Sequence, residues 1–443
     1  MVQNSITIHG SIQPLSQSTF SITVLLFFIS CILTKLVFKS TLSCKLFKPD
    51  RFTRGGALIT QSYDVIIVGA GSMGMSAGYY LARSGLKTLL IDAFDPPHTE
   101  GSHHGESRLI RHVYSGGPDY ITMALLAQNL WQELEDITGS NLLVRSGVIN
   151  MVDPDFHSFR DRLTHADAAG VPYEVMRARE VMKRWPGITI PEHYEGMYEP
   201  DAGYLFSERC ILAYRQAAEQ QGATLLTHTL VEHVECGPHS VAVKTSAGDT
   251  YHANQLILSP GAWFQTLKPF VDLPIRAVRK TVGWFEAPEA LFAEEQFPGF
   301  TLSGPEGVYY GFPSIGGAGV KIGRHDTGQE WTPSNALAPF GTEETDEGDI
   351  RRLLEQRMPL AAGKLKRGSV CKYEMTPDED FIIDRHPLHE HVWLAGGFSG
   401  HGFKFASAIG KILSDLVQTG HTDQDISRFA LSRFAKTGIS STP

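Results

Sequence analysis

The regular alternation of apolar and polar positions begins at Tyr63. Residues 63–68, YDVIIV, form a short β-branched run, the pattern of a strand buried in a parallel sheet. Gly69-Ala70-Gly71-Ser72-Met73-Gly74 follows at once, and MSAGYYLARSG then reads as a helix with small residues toward the sheet. LKTLLID, at 86–92, predicts the next strand and closes on Asp92. Farther along, QLILSPGAW (255–263) predicts another buried strand ending in a glycine turn, and residues 276–366 are rich in strand patterns. In GVKIGRH, a strand would put Lys321 on the opposite face from Val320 and Ile322. Upstream, residues 20–38 form an apolar stretch interrupted only by Lys35. A bilayer span needs about 20 such residues, so this is a borderline membrane segment.

Strand, GxGxxG, helix, strand and acid in one unit of about 30 residues is the pattern of a dinucleotide site. Gly69 permits the tight turn, Gly71 lets the backbone approach a pyrophosphate, and Gly74 lets helix and strand pack closely. With Ser72 they surround the helix N-terminus, where free N–H groups and the dipole favour phosphate. Asp92, about 20 residues on, would accept hydrogen bonds from the adenosine ribose. This unit does not decide between NAD and FAD.

At 443 residues the chain holds two or three domains at about 150 residues each. With 42% apolar and 20% charged residues it is an ordinary globular chain, not a disordered or fibrous one. A net charge of −9 argues against a nucleic-acid partner. The charge is uneven: Lys35, Lys39, Lys45, Lys48, Arg51 and Arg54 precede residue 62, against Asp50 alone. As a membrane anchor, residues 20–38 would leave the body on the cytoplasmic side. The leader 1–62 also reads as a mis-assigned start. No Met separates Met1 from Met73, and Arg54-Gly55-Gly56 followed by Leu58 fits a translated ribosome-binding site and a non-standard start codon. Five cysteines without any CxxC spacing exclude a zinc or disulfide framework and fit a reducing, cytoplasmic compartment. The scattered histidines predict no metal site, and no Ser/His/Asp arrangement is apparent.

Gly101-Ser102-His103-His104-Gly105-Glu106-Ser107-Arg108-Leu109-Ile110-Arg111-His112 reads locally as a polar loop entering a helix. The string resembles a flavin-contacting segment of the monomeric sarcosine oxidase and N-methyl-tryptophan oxidase family. Further matches are VRSGVINM (144–151), LFSERCILAYRQAAEQQGATLLTHT (205–229), VYYGFP (308–313), VKIGRH (320–325), RGSVCKY (367–373), TPDEDFIID (376–384) and GFSGHGFKFAS (397–407). The likeness runs from Tyr63 to about Phe434, and the leader has no counterpart in it. It implies an α/β flavoprotein of the D-amino-acid-oxidase type, with a Rossmann-like FAD domain and a mixed-sheet substrate domain. The FAD domain would comprise 63–145, 205–275 and 370–435; the substrate domain, 146–204 and 276–369, would floor the substrate site.

The same resemblance implies the site residues. Cys371 sits among Lys364, Lys366, Arg367 and Lys372, charges that would lower a thiol pKa. By itself it reads first as a buried structural cysteine; the resemblance makes it the covalent thioether link to FAD. Lys321, otherwise a solvated strand lysine, becomes the group that activates oxygen, with His325 and Tyr310 beside it. Arg108 and Arg111, three apart, would share one face of a helix. The resemblance sets Arg111 and Lys404 on the substrate carboxylate, and Arg108 and His104 on the flavin. The implied activity is FAD-dependent oxidative demethylation of sarcosine by O₂, giving glycine, formaldehyde and H₂O₂, by a monomer. The alternatives are an N-methyl-tryptophan or pipecolate-type oxidase, or a membrane-anchored dehydrogenase that reduces quinone.

Overall fold

The computed structural model describes residues 62–114 and 116–437. Among them no helix is long and apolar enough to cross a membrane. The candidate span 20–38 lies outside the described residues.

Two large sheets organise the molecule, one of eight strands and one of nine. In the first, the strand Ser62–Val68 is central and its apolar residues are almost wholly buried. It runs parallel to Thr88–Ile91 on one side and to Thr250–Leu258 on the other. The last of these also runs parallel to His389–Gly396. β-Branched and aliphatic residues suit such two-faced burial, since nothing on these strands needs water. The helix Ser72–Arg83 covers one face, packed against the helices Ser207–Gln220 and Ala406–Thr419. Close approach there requires small residues: a Cβ on Gly410 would collide with the Ser76 side chain.

The second sheet is mixed, mostly antiparallel, and contains Val148–Val152, Arg276–Phe285, Gly299–Gly304, Gly307–Ser314 and Val320–Arg324. The strand Leu365–Met375 pairs with Arg276–Phe285 along its whole length, which brings Cys371 opposite Lys280. Residues 365–375 thus stay in this sheet across the boundary expected at 370. A core of Ile149, Phe285, Phe300, Val320, Ile322 and neighbouring residues packs against its outer face.

A third, three-stranded sheet corrects one expectation. Ser107–Ile110 is a strand, not the start of a helix, and it pairs antiparallel with Gly203–Phe206. Gly105 (φ 98°) and Glu106 (φ 72°) turn the backbone through the left-handed region just before it, which a helix cannot accommodate. Arg108 and Arg111 therefore do not share a helical face. They converge because the strand ends at Ile110 and the chain bends.

Candidate active site

The glycine turn forms a close-fitted cradle. Gly69 has φ 91°, and a Cβ there would lie 2.5 Å from the carbonyl oxygen of Ser259, which follows the strand Thr250–Leu258. A Cβ on Gly74 would collide with the Gly69 carbonyl. Gly71 is different: a Cβ would meet nothing nearer than His103 Nδ1 at 3.8 Å, so open space lies beside this backbone. No side chain caps the helix that follows, so its first N–H groups stay available to an anion. Asp92 braces the turn, accepting from the Ala70 N–H at 2.8 Å and the Phe94 N–H at 2.9 Å. A carboxylate has about four acceptor positions, so both oxygens can still take a hydroxyl donor.

Ser72 and Met73 border a cavity of about 340 Å³ that Arg108, Arg111, Tyr310, His325 and Lys404 also line. Six of the residues singled out from sequence, Ser72 among them, thus share one space, though they come from distant parts of the chain. Arg108 is fixed by three carbonyl oxygens, those of Ser102 (2.8 Å), His104 (2.6 Å) and Ser107 (2.8 Å). His104 is buried, and its Nε2 has no hydrogen-bond partner. Burial and the Arg108 charge push its pKa down to about 4, so the ring is neutral. A cradle open at Gly71, an uncapped helix and an orphaned imidazole nitrogen fit a dinucleotide with a polar ring system.

At another part of the cavity wall, Arg111 donates to Asn150 Oδ1 at 3.2 Å, and Asn150 donates to Glu199 Oε1 at 3.0 Å. Lys404 Nζ donates to the Tyr114 hydroxyl (3.1 Å) and the His401 carbonyl (2.5 Å). Burial and then Arg111 drive the Lys404 pKa well down, while Glu199 opposes them. His325 is pushed to about 4 by burial, with Lys280, Arg111 and Lys404 adding to it. This is a pocket with an excess of cations, the electrostatics of an anion site.

Lys321 lies just beneath the cavity, 2% exposed, on the face opposite Val320 and Ile322. Its Nζ donates to Gly105 O (2.5 Å), Ser107 O (2.9 Å) and Ser107 Oγ (3.2 Å). It also sits 4.5 Å from the Phe312 ring centroid.

Residues 64–416 match the family described as DAO, FAD dependent oxidoreductase. The chain belongs to this family. It is 49% identical over 375 residues to the monomeric sarcosine oxidase of Bacillus sp. (strain B-0618), covering 84% of this chain and 96% of the relative. It is 40% identical over 375 residues to the N-methyl-L-tryptophan oxidase of Salmonella heidelberg (strain SL476), covering 84% and 100%. Among solved structures, the L-proline dehydrogenase from P. horikoshii superposes with a TM-score of 0.75 at 18% identity, over 86% of this chain and 99% of that one. That last likeness speaks for the fold alone.

Three residues of this FAD-dependent oxidoreductase depart from the sequence reading or were missed by it. Cys371 is buried, and burial raises its thiol pKa; the cations that pull the other way are Arg108, Lys321, Lys280 and Lys372. The expected net lowering is wrong because desolvation outweighs the charges. Of the four basic neighbours in sequence, Lys372 is the one among the main charges acting on the thiol, while Arg367 pairs with Glu106 and Lys366 reaches the Gly317 carbonyl. Sequence reasoning also passed over Tyr373, which donates to the Tyr310 hydroxyl at 3.4 Å, and Lys280, which donates to the His325 carbonyl at 2.6 Å. Tyr373 stands two residues from Cys371, hence on the same strand face, and that spacing was a usable signal. Lys280 had none, because it reaches the site only through strand pairing.

Proposed function

We propose that this FAD-dependent oxidoreductase is an oxidase of N-methyl amino acids, with sarcosine as its simplest substrate. What carries the reading is the cationic pair Arg111 and Lys404 in the cavity of a chain 49% identical to a monomeric sarcosine oxidase. Bound FAD supplies a two-electron acceptor and donor, so that sarcosine, O₂ and water give glycine, formaldehyde and H₂O₂. Gly69, Gly71, Ser72, Gly74 and Asp92 hold the dinucleotide, His104 and Arg108 contact its ring system, and Cys371 provides the sulfur of a covalent thioether.

Arg111 and Lys404 grip the substrate carboxylate with charge-assisted hydrogen bonds and thereby orient the N-methyl group. The cationic surroundings formed by Arg111, Lys404 and Lys280 disfavour an ammonium and keep the amine neutral, the form able to give up a hydride equivalent. His325, neutral near pH 7, adds no charge of its own, and Tyr310 flanks the amine. Lys321, its ammonium held by Gly105 and Ser107, sets a preorganised positive charge beside the cavity, and such a cation stabilises the anion that one-electron reduction of O₂ creates.

The first sheet with its helices serves FAD, over 63–145, 205–275 and 370–435, except that the strand Leu365–Met375 stays in the second sheet, which serves the substrate with 146–204 and 276–369. The enzyme acts as a cytoplasmic monomer, in keeping with the relative's description and with three cysteines, Cys210, Cys236 and Cys371, that form no disulfide. H₂O₂ release should be faster with sarcosine than with N-methyl-L-tryptophan or pipecolate. Faster release with either of those two, or electron transfer to quinone without O₂ uptake, would replace this reading with the corresponding alternative.

A further inference from the structure

The cavity has a second cationic group that the demethylation of sarcosine does not use. Arg162, in the helix Arg160–Ala168, lines the same cavity as Arg111 and Lys404. It is partly buried, yet it makes no hydrogen bond or ion pair among the described residues. Burial and the Arg111 charge both act against its protonated form and lower its pKa to about 10. The acid that favours its charge is Glu199, whose oxygens already accept from Asn150, His112 N–H and Val113 N–H. Two guanidiniums are thus held toward one cavity, Arg111 with a single amide acceptor and Arg162 with none. Every other cation on the wall is answered. Arg108 has three carbonyls, Lys372 pairs with Glu100 at 3.0 Å, and Lys404 has its hydroxyl and carbonyl.

Arg162 does not stand alone. His157 lines the cavity too, and its buried Nδ1 lacks a partner. The Ser303 hydroxyl, also on the wall, makes no hydrogen bond among the described residues. His157 and Ser303 are held together by backbone. Ser303 pairs with Val152 across the sheet, its carbonyl accepts the Asp153 N–H at 2.9 Å, and Asp153 O accepts the His157 N–H at 2.9 Å. A guanidinium, an imidazole nitrogen and a hydroxyl, all unsatisfied among the described residues and all carried by residues that line one cavity, supply the donor types of an oxyanion site.

We infer that Arg162, His157 and Ser303 form a second carboxylate site, which selects N-methyl amino acids bearing a side-chain carboxylate, of the N-methylaspartate and N-methylglutamate class. The inference rests on the proposed function, in which Arg111 and Lys404 take the first carboxylate. A mono-acid such as sarcosine leaves Arg162 uncompensated, whereas a dicarboxylate satisfies both guanidiniums at once.

The test uses holoenzyme and two redox-inert thioether analogues, (methylthio)acetate and (methylthio)succinate, with dissociation constants from calorimetry. Unmutated enzyme should bind the dicarboxylate about tenfold or more tighter than the monocarboxylate, the gain expected of one charged hydrogen-bonding partner. Arg162→Met should bring that ratio close to one, and Arg162→Lys should restore part of it. In turnover, kcat/KM for N-methyl-L-aspartate or N-methyl-L-glutamate should exceed that for sarcosine, measured as H₂O₂ release. Equal binding of the two analogues, or a ratio that survives in Arg162→Met, overturns the inference while leaving sarcosine oxidation standing. Failure of every N-methyl amino acid to release H₂O₂ removes the functional reading and the inference together.

Discussion

Replacing Lys321 by Met separates a chemical role from a structural one, and the hydrogen-bond geometry sets the expected size of each. The substitution keeps the length and the apolar stem, so contact with the Phe312 and Trp284 rings persists. It removes donors from Gly105 O, Ser107 O and Ser107 Oγ. None of the backbone acceptors is orphaned: Gly105 O still receives the Ser107 N–H at 2.9 Å, and Ser107 O still receives Arg108 at 2.8 Å. The loss is therefore nearer the net value of a hydrogen bond or two, about 1–2 kcal/mol, than the full cost of buried unpaired groups. Removing a buried cation returns part of its desolvation cost, so the stability change should stay below about 2 kcal/mol. The oxidative half-reaction has no such compensation. Loss of one preorganised electrostatic donor costs about 3–4 kcal/mol, or about 10²–10³ in rate. Stopped-flow mixing of the reduced enzyme with O₂, beside anaerobic reduction by sarcosine and urea unfolding, reads all three quantities. Burial and Arg108 pull the Lys321 pKa well down. Reoxidation of the unmutated enzyme should thus slow with rising pH below the ordinary lysine range, and the Met variant should lack that dependence. Reoxidation within about threefold of the unmutated enzyme, or unfolding made easier by more than about 3 kcal/mol, would refute the assignment of oxygen chemistry to this residue.

Acid precipitation should leave yellow colour with the unmutated protein, and Cys371→Ser should release it to the supernatant; colour released from both would exclude the thioether. Arg111→Gln should raise KM for sarcosine by one to two decades and weaken (methylthio)acetate in parallel, since a charged hydrogen-bonding partner contributes about 1.5–3 kcal/mol. Glu374 is buried, and burial raises its pKa from 4.5 to about 8. Between those values the folded state holds a proton that the unfolded chain has lost, so stability falls as pH rises through this window. Urea midpoints at pH 5 and pH 8 should show that fall, and Glu374→Gln should reduce it; an unchanged pH slope in the variant would mean that other groups cause it.

Where local sterics or strand alternation settle the conformation, the amino-acid sequence was sufficient. Gly69 and Gly74 are required by contacts that any Cβ would violate, and a buried β-branched strand before them has few alternatives. The alternation of Val320, Lys321 and Ile322 likewise determined which face the lysine occupies, because a strand has period two whatever it pairs with. Three outcomes were decided only by tertiary structure. The segment 107–110 became a strand because Gly203–Phe206 offered it backbone partners, an opportunity that its own residues do not encode. The Cys371 thiol rose rather than fell in pKa because burial, a property of the packed molecule, outweighed charge. Arg111, Arg162, Ser303 and Lys404 are far apart in the chain, and whether a cation finds an acid partner or faces an open cavity depends on that convergence. Sequence limits backbone geometry over a few residues, whereas desolvation and partner availability are set by every atom that packs nearby, and those two determine the chemistry of this site.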